Sequence, residues 1–328
     1  MQIKKILNKI SKYLNNSEEI TNIFDKILMQ NGRAASNRNL NQKFSNINQA
    51  EFQIYSQWGE DGIIDYLIEK IERERNIPKK FIELGVENYI ESNTRFLIKN
   101  RNWSGLIIDG SEDNIKFIKQ DSIYWRHDLT ALAKFITADN IDGLIAGSGF
   151  SGEIGLLSID LDGNDYYIWD AIKSANPILV VCEYNSVFGD QHGLTIPYKP
   201  EFKRSNEHFS NLYFGASIKA LIAMGYKKGY SFLGTSSNGV NAFFIRRDYF
   251  NIFERSFDEY PMFPSKFSES RNSIGQLSFL KGDARIKQIS NMQVTEVDSN
   301  RTLSIGEIVN IYSSEWHHGC KSQHLNND

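Results

Sequence analysis

Five short apolar runs lie between Lys79 and Asn185, and each closes on an acid. They are KKFIELGV, SGLIIDGS, SIYWRHD, EIGLLSIDLDG and PILVVCEYN. Between them stand SNTRFLIKNRNW, EDNIKFIKQ, DNIDGLIAG and NDYYIWDAIKS, whose apolar residues recur at helical spacing. Strands alternating with helices build parallel βαβ units into one open sheet. A further helix, SNLYFGASIKALIAMGY, leads into KGYSFLGT and VNAFFIRR, which flank the turn SSNG. Asn238-Gly239 marks that pair as a hairpin. The expected class is therefore α/β. The expected fold is a Rossmann-like, doubly wound, mostly parallel sheet closed by an antiparallel terminal hairpin.

Extensions flank this unit. Ile3, Ile6, Leu7, Ile10 and Leu14 predict an amphipathic helix over residues 1 to about 30. NGRAASNRNLNQKFSNINQ is polar and reads as a linker or arm. GEDGIIDYLIEKIERER reads as the first helix of the unit proper. The chain divides into a helix and polar arm over 1–50, a central domain over 51–250, and an extension over 251–328 that covers a cleft or makes an oligomer contact. A homo-oligomer is left open.

The 328 residues carry a net charge of -3, which gives no electrostatic case for a nucleic-acid partner. No apolar run reaches the ~20 residues of a transmembrane segment. The basic N-terminus lacks the continuous apolar core of a secretory signal. The two cysteines, Cys182 and Cys320, form no zinc or disulfide framework, so a reducing, cytoplasmic setting is expected. EWHHGC offers His317, His318 and Cys320 as metal ligands, but adjacent histidines with no third spaced ligand are a weak signal.

In open α/β sheets, ligands bind beyond the carboxyl ends of the strands. Those ends carry Glu83 and Gly85, Asp109, Asp128, Asp160 and Asp162, then Glu183 and Asn185. Such acids hold hydroxyls, amines or a divalent metal. Asp109 ends the second run, about 20 residues past a glycine-bearing loop, where an acid accepts hydrogen bonds from ribose hydroxyls. It can equally cap the helix that follows. Asp160, Asp162, Glu183 and Asn185 meet if their strands are neighbours, and their oxygens suit Mg²⁺ or Mn²⁺. The plainer alternative is that Asp162 or Asp165 caps the next helix and that Glu183 and Asn185 bond to substrate or backbone.

FIELGV, LIIDGS, IGLLSIDLDG, VVCEYN and the closing hairpin resemble a class I S-adenosylmethionine (SAM) methyltransferase, and most of all its FkbM-like branch. SQWGEDG and ESNTRFL fit the same resemblance, which spans about Ser56 to Arg247. It implies a seven-stranded sheet with the last strand antiparallel. It implies Glu83 and Gly85 by the methionine part of SAM, Asp109 on the ribose, Asp128 at the adenine and Asp160 at the amine or the acceptor. Glu87, Asn93, Gly110 and Ser111 complete the implied cofactor set. One departure is that ELGVENYIESN carries a single glycine where two or three are usual.

The implied activity is O-methylation of a small-molecule or sugar hydroxyl, with divalent-metal assistance as an option. Capsule, glycan and natural-product pathways are the implied setting. For methyl transfer, the candidate base is His192 in FGDQHGLTIPY, with Asp160 and Glu183 at the reacting end. His127 and His208 are weaker candidates. Tyr184, Phe188, Tyr198 and Phe202 can wall an acceptor pocket or pack a lid. Ser236, Asn238 and Asn241 border the hairpin within reach of it. Two rival readings stand beside this one. Asp160-Leu161-Asp162 can be the metal-binding DxD of a GT-A-type glycosyltransferase, or the fold can serve binding without chemistry.

Overall fold

The computed structural model describes residues 2–317 and 321–323, with side chains over 19–316. The metal candidate in EWHHGC falls outside the described side chains. The strands are β1 (Lys80–Leu84), β2 (Ser104–Asp109), β3 (Leu129–Ala133), β4 (Gly152–Ile159), β5 (Ala175–Glu183), the short β6 (Leu194–Thr195), β7 (Tyr230–Thr235) and β8 (Asn241–Arg246). Seven of them form one sheet in the order β3-β2-β1-β4-β5-β8-β7. β1 to β5 pair in parallel, and β8 is antiparallel to both β5 and β7. The expected sheet and terminal hairpin are both present. Gly239 turns the hairpin at φ 77, a backbone conformation that glycine adopts without steric cost.

The period-two alternation of the strands sorts their side chains onto two faces. Phe81, Ile107, Leu156 and Leu179 face one way and pack under α2 (Glu60–Glu74), α3 (Arg95–Arg101) and α4 (Glu112–Gln120). Ile82, Leu106, Leu157 and Val180 face the other way, with α6 (Ile141–Gly147), α7 (Asp165–Ala171) and α9 (Ile218–Lys227). Both faces are covered, so β4 and β5 read as unbroken apolar runs rather than alternating ones. Each fully buried Leu or Ile contributes about 1.5–3 kcal/mol.

Two local readings are corrected. Helix α1 (Gln2–Leu40) runs through the first part of the stretch read as a linker. Met29, Ser36 and Asn39 are buried there, and the Asn39 amide donates to the Ala50 carbonyl at 2.8 Å. SIYWRHD is not a strand. Asp121, held by Arg95, accepts Ile123 N–H at 3.0 Å and so caps the start of α5 (Ser122–Arg126). The third strand begins only at Leu129, so Asp128 precedes β3 instead of ending it.

The C-terminal segment crosses the carboxyl edge of the sheet. It contains α10 (Asn251–Glu254), β9 (Tyr260–Met262), α11 (Asp283–Gln288), β10 (Gln293–Glu296), β11 (Arg301–Ser304), α12 (Ser314–His317) and β12 (Lys321–Gln323). β11, β10 and β6 make a three-stranded sheet, and β12 pairs with β9. The short α8 (Arg204–Glu207) lies in the long connection after β5. No helix among the described residues is long and apolar enough to cross a membrane.

Candidate active site

The sheet order reverses between β1 and β4, and a crevice opens beyond the strand ends at such a point. It is a cleft of about 660 Å³, in the range of small-molecule sites. Gly85, Glu87, Asp109, Gly110, Asp160 and Glu183 line its floor. The connection after β5 adds Phe202, Arg204 and Phe214, and the C-terminal segment adds Phe267, Glu269 and Arg285.

Gly85 follows β1 with φ 78, and a Cβ there would lie 1.7 Å from the Asp160 carbonyl oxygen. The single glycine of this loop is therefore the one that its closest approach requires. Asp109 spends one carboxylate oxygen on Glu87 N–H at 2.9 Å. The other takes Ser111 N–H at 2.8 Å and the Asn114 amide at 3.1 Å. Asp109 thus ties the first loop to the start of α4, while its edge still faces the cleft.

The loop after β4 is bent by Asp165, which accepts Leu161 N–H at 2.8 Å and Gly163 N–H at 3.0 Å. Burial, opposed by these bonds, pushes the Asp165 carboxyl up to about 6. Asp160 and Glu183 face each other across β4 and β5. Burial first, then the Asp162 charge beside Asp160 and the Asp160 charge beside Glu183, raises both carboxyls well above the usual range, and Arg204 opposes this. Neighbouring carboxyls in a poorly hydrated site bind protons more tightly than free ones. One oxygen of Glu183, Oε2, is buried without a hydrogen-bond partner.

The structure brings Gly85, Glu87, Asp109, Gly110 and Asp160 together and leaves the rest of the implied cofactor set out of the cleft lining. Glu83 is spent on the start of α3, accepting from Ser92 Oγ at 2.6 Å, Asn93 N–H at 2.9 Å and Thr94 N–H at 3.2 Å. Asn93 donates its amide to Ser158 Oγ at 3.1 Å, and Ser111 caps α4. Asp128 sits at the opposite edge of the sheet, where its carbonyl accepts Gly105 N–H at 2.8 Å.

His192 does not reach the cleft. Its Nε2 lies 3.0 Å from the Val309 carbonyl, and it anchors the C-terminal segment. His127 bonds to Asn102 and His208 to Ser210, likewise away from the cleft floor. Of the aromatic candidates, Tyr184 and Phe202 line the cleft. Phe188 packs against Tyr213, and the Tyr198 hydroxyl accepts Ala138 N–H at 3.0 Å. Ser236, Asn238 and Asn241 stay behind Gly239 and Val240, which are the hairpin residues at the cleft.

The four-oxygen metal cage is not assembled. Asp162 pairs with the Arg204 guanidinium. Asn185 donates to the Leu212 and Phe214 carbonyls at 2.9 Å each and accepts Val187 N–H at 3.0 Å. Among the described residues, no group of three or more His, Cys, Asp or Glu is placed to hold a metal ion. The positive charge beside these acids is supplied by Arg204. Neither Arg204 nor Arg285 carried a signal in the sequence, because each reaches the cleft from a distant segment.

No protein-family model and no curated protein matches the chain. Solved structures similar to it include the N-terminal domain of EvdMO1 with S-adenosylhomocysteine (SAH) bound, at 13% identity and a TM-score of 0.37 over 66% of this chain and 94% of that one. They also include an O-methyltransferase from Bacillus cereus in complex with SAH, at 12% identity and a TM-score of 0.37 over 66% and 89%. A third is an S-adenosylmethionine-dependent methyltransferase from Clostridium acetobutylicum, at 9% identity and a TM-score of 0.34 over 56% and 90%. At such identities and scores, the likeness decides nothing about this chain's chemistry. The functional reading rests on the cleft itself.

Proposed function

We propose that this chain is a SAM-dependent methyltransferase that O-methylates a hydroxyl of a small molecule or sugar, in the FkbM-like manner that its strand motifs resemble. The observation that carries the reading is one cleft at the switch point with Asp109 on one side of Gly85 and Asp160 with Glu183 on the other.

The donor set fits the cofactor. Asp109 has acceptor capacity for ribose hydroxyls beside its three structural bonds. Asp160 offers negative charge for an ammonium group. Gly85 brings the first loop against the Asp160 backbone, so both lie at one end of the cleft. When bound, SAM supplies an activated methyl group.

The chain's own residues do the rest. Glu183 is the base, and its unpartnered Oε2 accepts the proton of the acceptor hydroxyl. Burial and the Asp160 charge raise its affinity for protons, which makes it a stronger base than a free carboxylate. Arg204, fixed by Asp162 and by the Asn211 carbonyl at 2.7 Å, limits the build-up of negative charge at the pair. Phe202, Phe214 and Phe267 exclude water and hold the acceptor for in-line attack. Base catalysis stands in place of metal assistance, since Asp162 and Asn185 are committed elsewhere. The same commitment of Asp162 disfavours the glycosyltransferase reading, and the unpartnered acid in the cleft disfavours a purely binding role. A cytoplasmic setting belongs to the same proposal.

The test is SAH production from SAM over a panel of hydroxyl acceptors, with and without added EDTA. The reading expects turnover that survives EDTA and falls about 10²–10⁴-fold in Glu183→Gln. Turnover untouched by that substitution would overturn the assignment of the base.

A further inference from the structure

The C-terminal segment places a second guanidinium in the cleft, and no acid among the described residues forms an ion pair with it. Arg285 on α11 lines the cleft beside Arg204. Arg204 is accounted for, since it pairs with Asp162, donates to the Asn211 carbonyl at 2.7 Å and lies over the Phe214 ring at 3.9 Å. Arg285 makes no ion pair and no side-chain hydrogen bond among the described residues, and its Nε is buried without a partner. The other cleft acid from this segment, Glu269, is taken by Arg271 and by the Asn211 amide.

A half-buried cation with an unsatisfied donor is costly unless a ligand completes it. Burial and the like charge of Arg204 both disfavour the charged form of Arg285, and the Tyr312 phenol only partly offsets them. The cleft is polarised as a result. Its floor carries the acid pair Asp160 and Glu183, which repels an anion, and its C-terminal wall carries the free guanidinium. A ligand that satisfies both ends presents a neutral hydroxyl to Glu183 and an oxyanion to Arg285.

We propose that Arg285 anchors an oxyanion on the methyl acceptor, so that the preferred acceptor is an acidic hydroxy compound bearing a carboxylate or a phosphate. This rests on the methyltransferase reading for the word acceptor. The anion site itself does not. A planar guanidinium offers paired N–H donors that match either group, and a lysine does not reproduce that geometry.

The test is calorimetric titration of the full chain with glucuronate, glucose 6-phosphate and glucose, in wild type, Arg285→Gln and Arg285→Lys, each also titrated with SAH. The expected result is that one or both charged sugars bind wild type at least about tenfold more tightly than glucose. Arg285→Gln abolishes that preference, Arg285→Lys keeps part of it, and SAH affinity stays within about twofold throughout. Which charged sugar is preferred tells a carboxylate site from a phosphate site. Equal binding of charged and neutral sugars overturns the proposal. So does a preference that survives Arg285→Gln, or a loss of SAH affinity as large as the loss for the sugar, which would assign the guanidinium to the cofactor's carboxylate. Anion preference without SAH binding would uphold the anion site and sink the methyltransferase reading instead.

Discussion

A Cβ on Gly85 would stand 1.7 Å from the carbonyl oxygen of Asp160, so the ends of β1 and β4 touch through a position that only glycine can fill. The contact joins the first loop of the fold to the acid that opens the reacting end. It also explains how a loop with one glycine can serve where several are usual.

Gly85→Ala should therefore damage the cleft more than the core. A left-handed backbone costs an alanine roughly 1–2 kcal/mol, and relief of the overlap requires the Asp160 loop to move. The expected outcome is a chain that retains its far-UV spectrum, melts several degrees lower and binds SAH at least about tenfold more weakly.

The carboxyl pair gives the protein a signed pH dependence. Asp160 and Glu183 have raised values in the folded state, so the folded chain holds protons that the unfolded chain has released. Their contribution is fully present below the ordinary carboxylate range and is lost as pH rises through the raised values. The melting temperature should fall as pH rises above the ordinary carboxylate range, and Glu183→Gln should flatten that fall by removing one of the facing charges. Activity should run the other way and rise with pH as the base loses its proton.

Arg204 and Asp162 should not be equivalent in mutation, although they are partners. Asp162 is 56% exposed in its side chain, so screening leaves little of the ion pair, and Asp162→Asn should cost under about 1 kcal/mol. Arg204→Ala also loses the Asn211 bond and the packing over Phe214, and should cost about 1–2 kcal/mol. It further removes the cation nearest the carboxyl pair, so the activity profile should shift to higher pH. Denaturant melts and pH–rate profiles of the two variants check this.

Glu83 should behave as a structural acid. Its bonds to Ser92, Asn93 and Thr94 hold the start of α3, so Glu83→Ala should cost about 2–4 kcal/mol by orphaning several buried donors. SAH affinity, measured well below the melting point, should change far less than for Asp109→Ala.

The sheet was legible because its strands are unbroken apolar runs and its crossover helices keep a clean helical period. Where that signal was short, local chemistry decided against it. SIYWRHD looked like a strand from four residues of pattern, but Asp121 caps it and Arg95 holds Asp121, so it coils. The strand starts only at Leu129, which leaves Asp128 at the amino end of the sheet. Asn31 to Leu40 looked like a linker because it is polar, yet Ser36 and Asn39 are buried polar residues that the helix needs. Gly85, Asp109, Asp160 and Glu183 were readable because strand ends are local features. Arg204 and Arg285 were not, since their place depends on how the segments after β5 fold back. His192 was misplaced for the same reason. Its loop swings away to meet Val309, with Asp190 and Gln191 N–H both bonded to the Ile311 carbonyl at 3.2 Å.

The most direct measurement is calorimetric titration of the full chain with SAH, beside Asp109→Ala and with UDP and GDP as controls. The account predicts binding in about the micromolar range, one site per chain, lost in Asp109→Ala and indifferent to added Mg²⁺ or Mn²⁺. Absence of SAH binding, together with metal-dependent binding of UDP or GDP, would contradict it.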